Sequence, residues 1–508
     1  MKQRILVKGD VSGIQDFIFN VNSRGAARSL KGRSFFMKIL LQIAMERVFE
    51  VFDIEDESLR EAAKVSTSGG NFILDLEVER AECLDEVQFE LSSALRYSGL
   101  NMMLVYVPAG GSYSSALRDL HLKTRERKYA LLRKRDTFFE PFDRARIAEV
   151  HGTLNTKGEN KKWHGITEAL KQSDCKLIVK KSKNASFELS VKGKSLELLG
   201  YRAYFSEEEA GVPLHNFMES LFPLKKPGTY SGSDDMLTFE ELASGKYQND
   251  RDERFSIYGS IRGIDKLGML AMDVDDLGDA VENVKSPEEH RAFDRKLQHF
   301  FNKTLRSLIT EKYDNLVYPV TAGGDDSYYV GKWNTMLLLA IDIRESFLKT
   351  FREEGLTISA ALVIVKPNYP VLRLAQLATA ALKKAKYDYA HKGNISLFGE
   401  VLDWDVLSEI LKLRSDFVKK GRGIISSGLL AKARQTAARI AGEKGVRLSD
   451  FWMMSYYMRN LKSKNYTFFS KRHQDLLNKS LKQSSLLLRR NYKLAFPIAA
   501  RLAELDKR

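Results

Sequence analysis

Four consecutive residues, Gly323-Gly324-Asp325-Asp326, stand between two β-rich runs, and an apolar run, Met269–Val274, carries Asp273 near its end. Asp275 and Asp276 follow at once in the adjoining turn. Carboxylates on neighbouring strands can hold one or two divalent ions, roughly 3.5–4 Å apart, against a triphosphate and an attacking hydroxyl, as nucleotidyl transfer requires. Hard oxygen donors of this kind select Mg²⁺ or Mn²⁺ over zinc. Asp273, Asp325 and Asp326 are therefore the expected metal ligands and catalytic carboxylates. Gly323 and Gly324 suit a tight hairpin that needs positive φ, and the missing Cβ atoms let phosphate or sugar approach the backbone. Lys386, near the end of a helical stretch, is placed to set an ammonium on a β- or γ-phosphate. The plainer alternatives are acids capping a turn and a helix N-terminus, and a solvated lysine favoured by the helix dipole.

The elements that must position these groups occur twice. Ile5–Val11 reads as a strand carrying Asp10, followed by an amphipathic segment through Gln15, Phe17, Ile18 and Phe19; Met269–Val274 and Leu277–Val281 repeat that opening. Each opening leads through a long helical segment to a Gly-Gly pair, Gly69-Gly70 in the first copy and Gly323-Gly324 in the second. The intervals are 59 positions from Asp10 to Gly69 and 50 from Asp273 to Gly323. Strands Met102–Val107 and Ile358–Val365 follow, and then helices that reach Arg127-Lys128-Tyr129 and Ala385-Lys386-Tyr387. This order predicts an α+β chain of two tandem ferredoxin-like palm (βαββαβ) domains, an arrangement also found in the palms of many polymerases and nucleotide cyclases. The expected division is a degenerate palm at 1–110, a mixed α/β connector at 111–255, a catalytic palm at 256–404 and a basic helical domain at 405–508. Lys180–Asn184 and Ser231–Asp235 read as turns or loops within the connector.

The first copy keeps the hairpin but has Asn71 and Phe72 where the second has two aspartates, leaving Asp10 alone, so metal binding there is not expected. Ser12 and Gly13 are placed like Asp275 and Asp276, which makes them candidates to face a second nucleotide, with Gly69, Gly70 and Asp276 beside them. Arg24, Arg28, Lys31 and Arg33 form either a phosphate site at a helix start or a basic surface turn.

With 508 residues, 44% hydrophobic and 29% charged, the composition fits about three or four packed globular units and excludes a disordered or collagen-like chain. No apolar run is long enough to cross a membrane, and the first residues lack the apolar core of a signal peptide, so a cytoplasmic protein with no membrane partner is expected. Cys83 and Cys175 are the two cysteines; they should be reduced structural thiols, and no zinc site is expected. The net charge is +15, and positions 401–508 hold 23 basic against 9 acidic residues. That density suggests a polyanion partner, the alternative being a solvated lysine-rich helical surface.

The motif set Asp10-Val-Ser-Gly-Ile-Gln-Asp-Phe-Ile-Phe19, Leu30-Lys-Gly-Arg-Ser-Phe-Phe36, Gly69-Gly70-Asn71, Asp273-Val-Asp-Asp-Leu-Gly278, Gly323-Gly-Asp-Asp326, Ile358-Ser-Ala-Ala361 and Ala385-Lys386 resembles the large subunit of type III CRISPR effector complexes, of Csm or Cmr kind, over about 1–400. The resemblance implies two palms, ATP as substrate, guide and target RNA together with small and backbone CRISPR subunits as partners, and synthesis of an adenylate second messenger, cyclic oligoadenylate or an ATP conjugate with S-adenosylmethionine, when target RNA binds. It also implies metal ligation by Asp273, Asp325 and Asp326, with Ser12 and Gly13 near the acceptor nucleotide. Lys386 matches the triphosphate-holding lysine of the more distant GGDEF cyclases. The chain departs from the pattern in having no His-Asp dipeptide among its eight histidines and the palm motif beginning at Asp10, so cleavage of single-stranded DNA is not expected. The rival expectations are a catalytically silent RNA-complex scaffold and a stand-alone GGDEF-like cyclase using GTP; template-copying polymerase activity fits less well.

Overall fold

The computed structural model describes residues 2–21, 26–67, 69–96, 98–133, 162–172, 174–223, 236–245, 263–313, 316–323, 326–420 and 463–507, with single positions 431, 435 and 456 besides. Arg24, Gly324, Asp325 and the Ser231–Asp235 segment lie outside the described residues.

The first unit runs β1 (Gln3–Ser12), α1 (Ile14–Phe19), α2 (Ala26–Val51), α3 (Glu57–Ala63), β2 (Lys64–Ser66), β3 (Asn71–Val78), α4 (Cys83–Ala94), β4 (Asn101–Pro108) and α5 (Tyr113–Arg133). The middle region holds α6 (His164–Leu170), β5 (Lys176–Lys181), β6 (Ser190–Lys192), β7 (Ser195–Leu198), β8 (Tyr201–Ser206), β9 (Val212–Pro213) and α7 (Phe239–Ser244). Its strands form a sheet in the order β6-β7-β8-β5-β9. Lys180 and Lys181 end β5, and the predicted turn falls at Ser182–Ala185, closed by the Ala185 N–H donating to the Ser182 carbonyl at 3.0 Å.

The second unit runs β10 (Leu267–Val274), α8 (Leu277–Glu282), α9 (Pro287–His299), a π-helical turn over Phe300–Thr304, α10 (Leu305–Tyr313), β11 (Val317–Gly323), β12 (Asp326–Lys332), α11 (Trp333–Thr350), β13 (Ile358–Val365) and α12 (Val371–Tyr387). The short strands β14 (Ile395–Leu397) and β15 (Glu400–Leu402) follow, and then helices α13 (Trp404–Lys420), α14 (Ser463–Leu481) and α15 (Leu486–Lys507). Among the described residues no helix is long and apolar enough to cross a membrane.

The repeat is visible as topology. The first sheet has the order β2-β3-β1-β4, and the second has β11-β12-β10-β13 extended by β14 and β15. In both, the unit's first strand lies antiparallel between its third and its fourth, the split βαββαβ order. In each unit two helical segments cover one face of the sheet, and the helix after the fourth strand, α5 or α12, covers the other.

The two units clasp each other reciprocally. Helix α2 of the first lies along the edge strand β11 of the second, where the Tyr318 hydroxyl donates to the Ala27 carbonyl. Helix α9 of the second lies along the edge strand β2 of the first, where Arg291 donates to the Ala62 and Lys64 carbonyls at 2.6 and 3.1 Å. A buried bidentate pair, Arg414 of α13 to Asp506 of α15 at 2.7 Å, ties the C-terminal helices together, and the same guanidinium, 5.1 Å from the Trp333 ring centroid, joins them to the second unit.

Enclosure from three sides corrects the reading of the basic segment after Arg24. The segment forms the first turns of α2, and Lys31 and Arg33 are buried there, so these two are not part of a surface turn, while Arg28 is half-buried. Arg33 Nη1 donates to the Phe17 and Asn20 carbonyls at 2.7 and 2.9 Å and so fixes the end of α1. Lys31 Nζ sits 4.9 Å and 5.2 Å from the Tyr318 and Phe222 ring centroids with no hydrogen-bond partner among the described residues. Burial lowers its pKa to about 7, a fall that Arg306 deepens and Glu219 opposes.

Because the folded value lies below the unfolded one, the unfolded chain binds more protons between about pH 7 and the ordinary lysine range, and stability rises with pH across that window. Lys31→Met should remove this slope and gain roughly 2–4 kcal/mol at pH 6, and less at pH 9. Denaturant titrations at the two pH values check the sign; an equal change at both would show that the ammonium is not desolvated.

Candidate functional site

Strand register decides which carboxylates meet. Asp273, next to last in β10, lies directly opposite Asp326, the first residue of β12. Directly opposed residues in an antiparallel pair project to the same face with Cβ atoms about 4.5–5.5 Å apart. Alternation gives that face to Met269, Ala271 and Tyr328 as well, and α12 covers it. Lys386 near the end of α12 donates from Nζ to Asp273 Oδ2 at 2.7 Å and to the Val274 carbonyl at 3.4 Å. Burial works to lower the Lys386 pKa, but the Asp273 carboxylate, with Asp275 behind it, outweighs burial and holds the ammonium above the ordinary lysine value.

The loop after β10 is built on Asp275, a residue the sequence placed beside the site without a role. Its carboxylate is 1% exposed and accepts from the Ser359 and Thr357 hydroxyls at 2.8 Å each, while its N–H donates to the Thr357 carbonyl at 2.9 Å. Burial raises its pKa against these hydrogen bonds and the nearby Lys386. The anchored loop sets Asp276 in the left-handed region (φ 54°) at the start of α8, where Lys392 pairs with its carboxylate.

The first unit repeats the frame without the second acid. Asp10 of β1 faces Asn71 of β3, and Lys128 of α5 lies 2.8 Å from Asp10 Oδ2, as Lys386 of α12 does from Asp273. This aspartate–lysine pair underlies the Lys-Tyr landmark noticed in both copies of the sequence. Gly13 takes the left-handed conformation (φ 84°) at the start of α1, equivalent to Asp276, and a Cβ there would lie 2.7 Å from the Gly99 carbonyl oxygen. Beside it the Ser12 hydroxyl donates to the Asn101 carbonyl at 3.4 Å. Gly69 and Gly70 have φ of 69° and 79°, and the Gly70 carbonyl accepts from the Val11 N–H at 3.1 Å.

Gly323 differs from its first-copy counterparts: its φ is not positive. It makes room instead, since a Cβ there would lie 2.6 Å from Lys38 Nζ of α2. No sequence pattern marked Lys38, because only the packing of α2 along β11 brings it there.

The two loop systems adjoin. Gln15 of α1 donates to the Tyr328 hydroxyl at 2.8 Å; Thr379 of α12 donates to Gln15 Oε1 at 3.1 Å and shares a 2.9 Å hydrogen bond with Tyr328. Gln15 stands two residues after Gly13, and Tyr328 two residues after Asp326. Between α1 and α12 lies a cleft of about 210 Å³ lined by Gln15, Asp16, Phe19, Ala375, Thr379 and Lys383 among others. The opposite seam is its counterpart: Tyr113 of α5 shares a 2.9 Å hydrogen bond with His290 of α9, and His121 of α5 lies 3.3 Å from Glu282 of α8. The structure thus brings together Asp273, Asp276, Asp326, Gly323 and Lys386 on one side, and Ser12, Gly13, Gly69 and Gly70 on the other.

Asp273 and Asp326 offer hard oxygen donors on one face, a set suited to Mg²⁺ or Mn²⁺, although the described residues contain no group of three or more His, Cys, Asp or Glu poised for a metal. Asp325, expected as the third acid, is outside them.

Two family models match: Cas10/Cmr2, second palm domain, over residues 266–396, and Csm1 subunit domain B over residues 3–142. The relatives named CRISPR system single-strand-specific deoxyribonuclease Cas10/Csm1 (subtype III-A) include that of Thermococcus onnurineus, 24% identical over 76% of this chain and 54% of the relative. That of Mycobacterium tuberculosis is 23% identical over 81% and 56%. The chain spans about half the length of the curated relatives it matches. Among solved structures, an apo Csm1–Csm4 cassette superposes with a TM-score of 0.71 at 18% identity, covering 100% of this chain and 70% of that one. A Csm1–Csm4 cassette in complex with AMPPNP gives 0.65 at 19% identity over 98% and 70%. With its paired palms, and with the second-palm model spanning both Asp273 and the Gly-Gly-Asp-Asp hairpin, the chain belongs to the Cas10/Csm1 large-subunit family of type III CRISPR systems.

Proposed function

We propose that the second palm is the divalent-metal nucleotidyltransferase centre of an RNA-guided type III complex, joining ATP into an adenylate second messenger when target RNA binds. The observation that carries this reading is the direct opposition of Asp273 and Asp326 on the face covered by α12, with Lys386 alongside. Solved relatives of the same fold in complex with AMPPNP, pppApApA, cA3 and cA4 support adenine nucleotides as ligands and favour a cyclic oligoadenylate product. A conjugate of ATP with S-adenosylmethionine is the competing product, and guide RNA, target RNA and the other complex subunits are the partners this reading requires.

In the reaction a ribose hydroxyl attacks the α-phosphorus of ATP; the new O–P bond forms as the bond to pyrophosphate breaks, pyrophosphate takes the electron pair, and the hydroxyl proton leaves to solvent. Asp273, Asp325 and Asp326 would hold Mg²⁺ or Mn²⁺, which when bound supplies charge neutralisation and a lowered hydroxyl pKa. The chain's own part is positioning. The register fixes Asp273 against Asp326, Asp275 anchors the loop that presents Asp276, and Lys386 either keeps Asp273 or turns to the triphosphate. Ser12, Gly13, Gly69 and Gly70 form the opposite wall for the acceptor nucleotide.

In the assembled complex with target RNA, the double variant Asp325→Ala/Asp326→Ala should lose product from labelled ATP by at least about a thousandfold with unchanged far-UV circular dichroism. Mass spectrometry of parent reactions with ATP or GTP, with and without S-adenosylmethionine, identifies the product. RNA binding with no nucleotide consumed would leave the silent scaffold.

One metal-holding palm also makes a prediction for the other. Asp10→Asn should leave the number of bound Mn²⁺ ions counted by electron paramagnetic resonance unchanged, whereas Asp273→Asn should reduce it; equal losses would refute the asymmetry.

A further inference from the structure

Helix α2 belongs to the first palm, yet its Lys38 ends at the second palm's hairpin. The ammonium lies where a side chain of residue 323 would begin, 2.6 Å from the Cβ that Gly323 lacks. By strand alternation Gly323 is cross-strand from Asp326 and presents the same face as Asp326 and Asp273, so Lys38 stands over the face on which those carboxylates meet. Met37, Ile39 and Leu40 around it are buried, which fixes the direction in which the lysine leaves the helix.

Three other ammonium groups at the two aspartate frames are engaged: Lys386 with Asp273, Lys392 with Asp276 and Lys128 with Asp10. Lys38 makes no hydrogen bond or ion pair with any described residue, although Asp326 stands one cross-strand position away. With that carboxylate pair given over to divalent ions, an uncommitted, partly buried cation beside it is left to meet an anion that approaches from solvent. A triphosphate together with three aspartates outweighs the charge of two divalent ions, so a nucleotide bound there leaves negative charge for a lysine to meet.

We propose that Lys38 is a phosphate-binding residue that the first palm contributes across the interface to the second palm's site. This rests on the nucleotidyltransferase reading for its ligand, and the phosphate oxygens come either from the incoming triphosphate or from the 5′-triphosphate of a linear adenylate acceptor. Gly323 is glycine so that Lys38 can reach them.

The test uses the assembled complex with Mg²⁺ and compares parent, Lys38→Met and Lys38→Arg by calorimetric binding of AMPPNP and of pppApA, with ATP kinetics and thermal unfolding alongside. Lys38→Met should weaken one ligand about tenfold and raise KM for ATP with a smaller change in kcat, Lys38→Arg should restore most of the binding, and the unfolding temperature should not move. Weakening of AMPPNP assigns the lysine to the incoming triphosphate, and weakening of pppApA assigns it to the acceptor. Binding of both within twofold of parent in Lys38→Met overturns the proposal while leaving the reaction intact. A parent complex that binds AMPPNP through Lys38 but forms no product overturns the reaction and leaves the lysine standing.

Discussion

Two carboxylates set side by side on adjacent strands are an electrostatic liability, and the second palm is organised around bearing it. At the spacing of about 5 Å typical of directly opposed residues, two such charges repel by roughly 3 kcal/mol at an effective dielectric near 20. The register that opposes Asp273 to Asp326 cannot slip to relieve this, because β10 is hydrogen-bonded on both sides, to β12 and to β13, and a shift would break both ladders at once. Lys386 offsets part of the repulsion from α12, which packs on that face through Leu374, Ala378 and Leu382. On the proposed reading a divalent cation at the end of β10 would offset more of it, and a triphosphate would follow.

The first palm shows which part of this design is structural. With Asn71 opposite Asp10 there is no second acid to neutralise, yet Lys128 of α5 still pairs with Asp10 as Lys386 does with Asp273. The lysine–aspartate pair therefore does work that needs no metal: it ties the last helix of each unit to the end of its central strand. The second acid, Asp326 in place of Asn71, is what separates the two copies, and on the proposed reading it is what adds cation binding.

Strand alternation, the doubled Gly-Gly hairpins and their spacing made the two-palm plan and the Asp273–Asp326 meeting readable from the residues, because period-two patterns report which face a side chain takes. The Leu30–Phe36 segment was not readable. Charged side chains are rarely buried, so Lys31 and Arg33 argue for a surface until the whole fold shows α2 enclosed by its own sheet, the middle region and β11. At Gly323 one of the two expected reasons for glycine, positive φ, does not apply. A glycine in a hairpin suggests positive φ, and only the packing of a helix almost three hundred residues earlier in the chain reveals that the space is taken by Lys38. Lys38, Asp275 and Asp294 act through contacts that join distant parts of the chain, and no local pattern encodes those.

Asp294 completes a symmetry that gives the interface its meaning. From α9 of the second palm it accepts from the Ser66 hydroxyl at 2.9 Å and the Thr67 N–H at 3.3 Å, and Gln298, one turn on, donates to the Thr67 hydroxyl at 3.0 Å. Those residues precede Gly69-Gly70, so a helix between each palm's first and second strands reaches the other palm at or just before its glycine pair: α9 at Ser66–Thr67, α2 at Gly323. Helices α1 and α12 on one seam, and α5 with α8 and α9 on the other, repeat the relation. A displacement of one palm along the α2–β11 seam must then be matched along the α9–β2 seam, so both hairpins move or neither does. The first copy therefore keeps a role without a second acid of its own, because the hairpin edge at Gly323 is shaped from outside its own sheet, by a partner with the same topology.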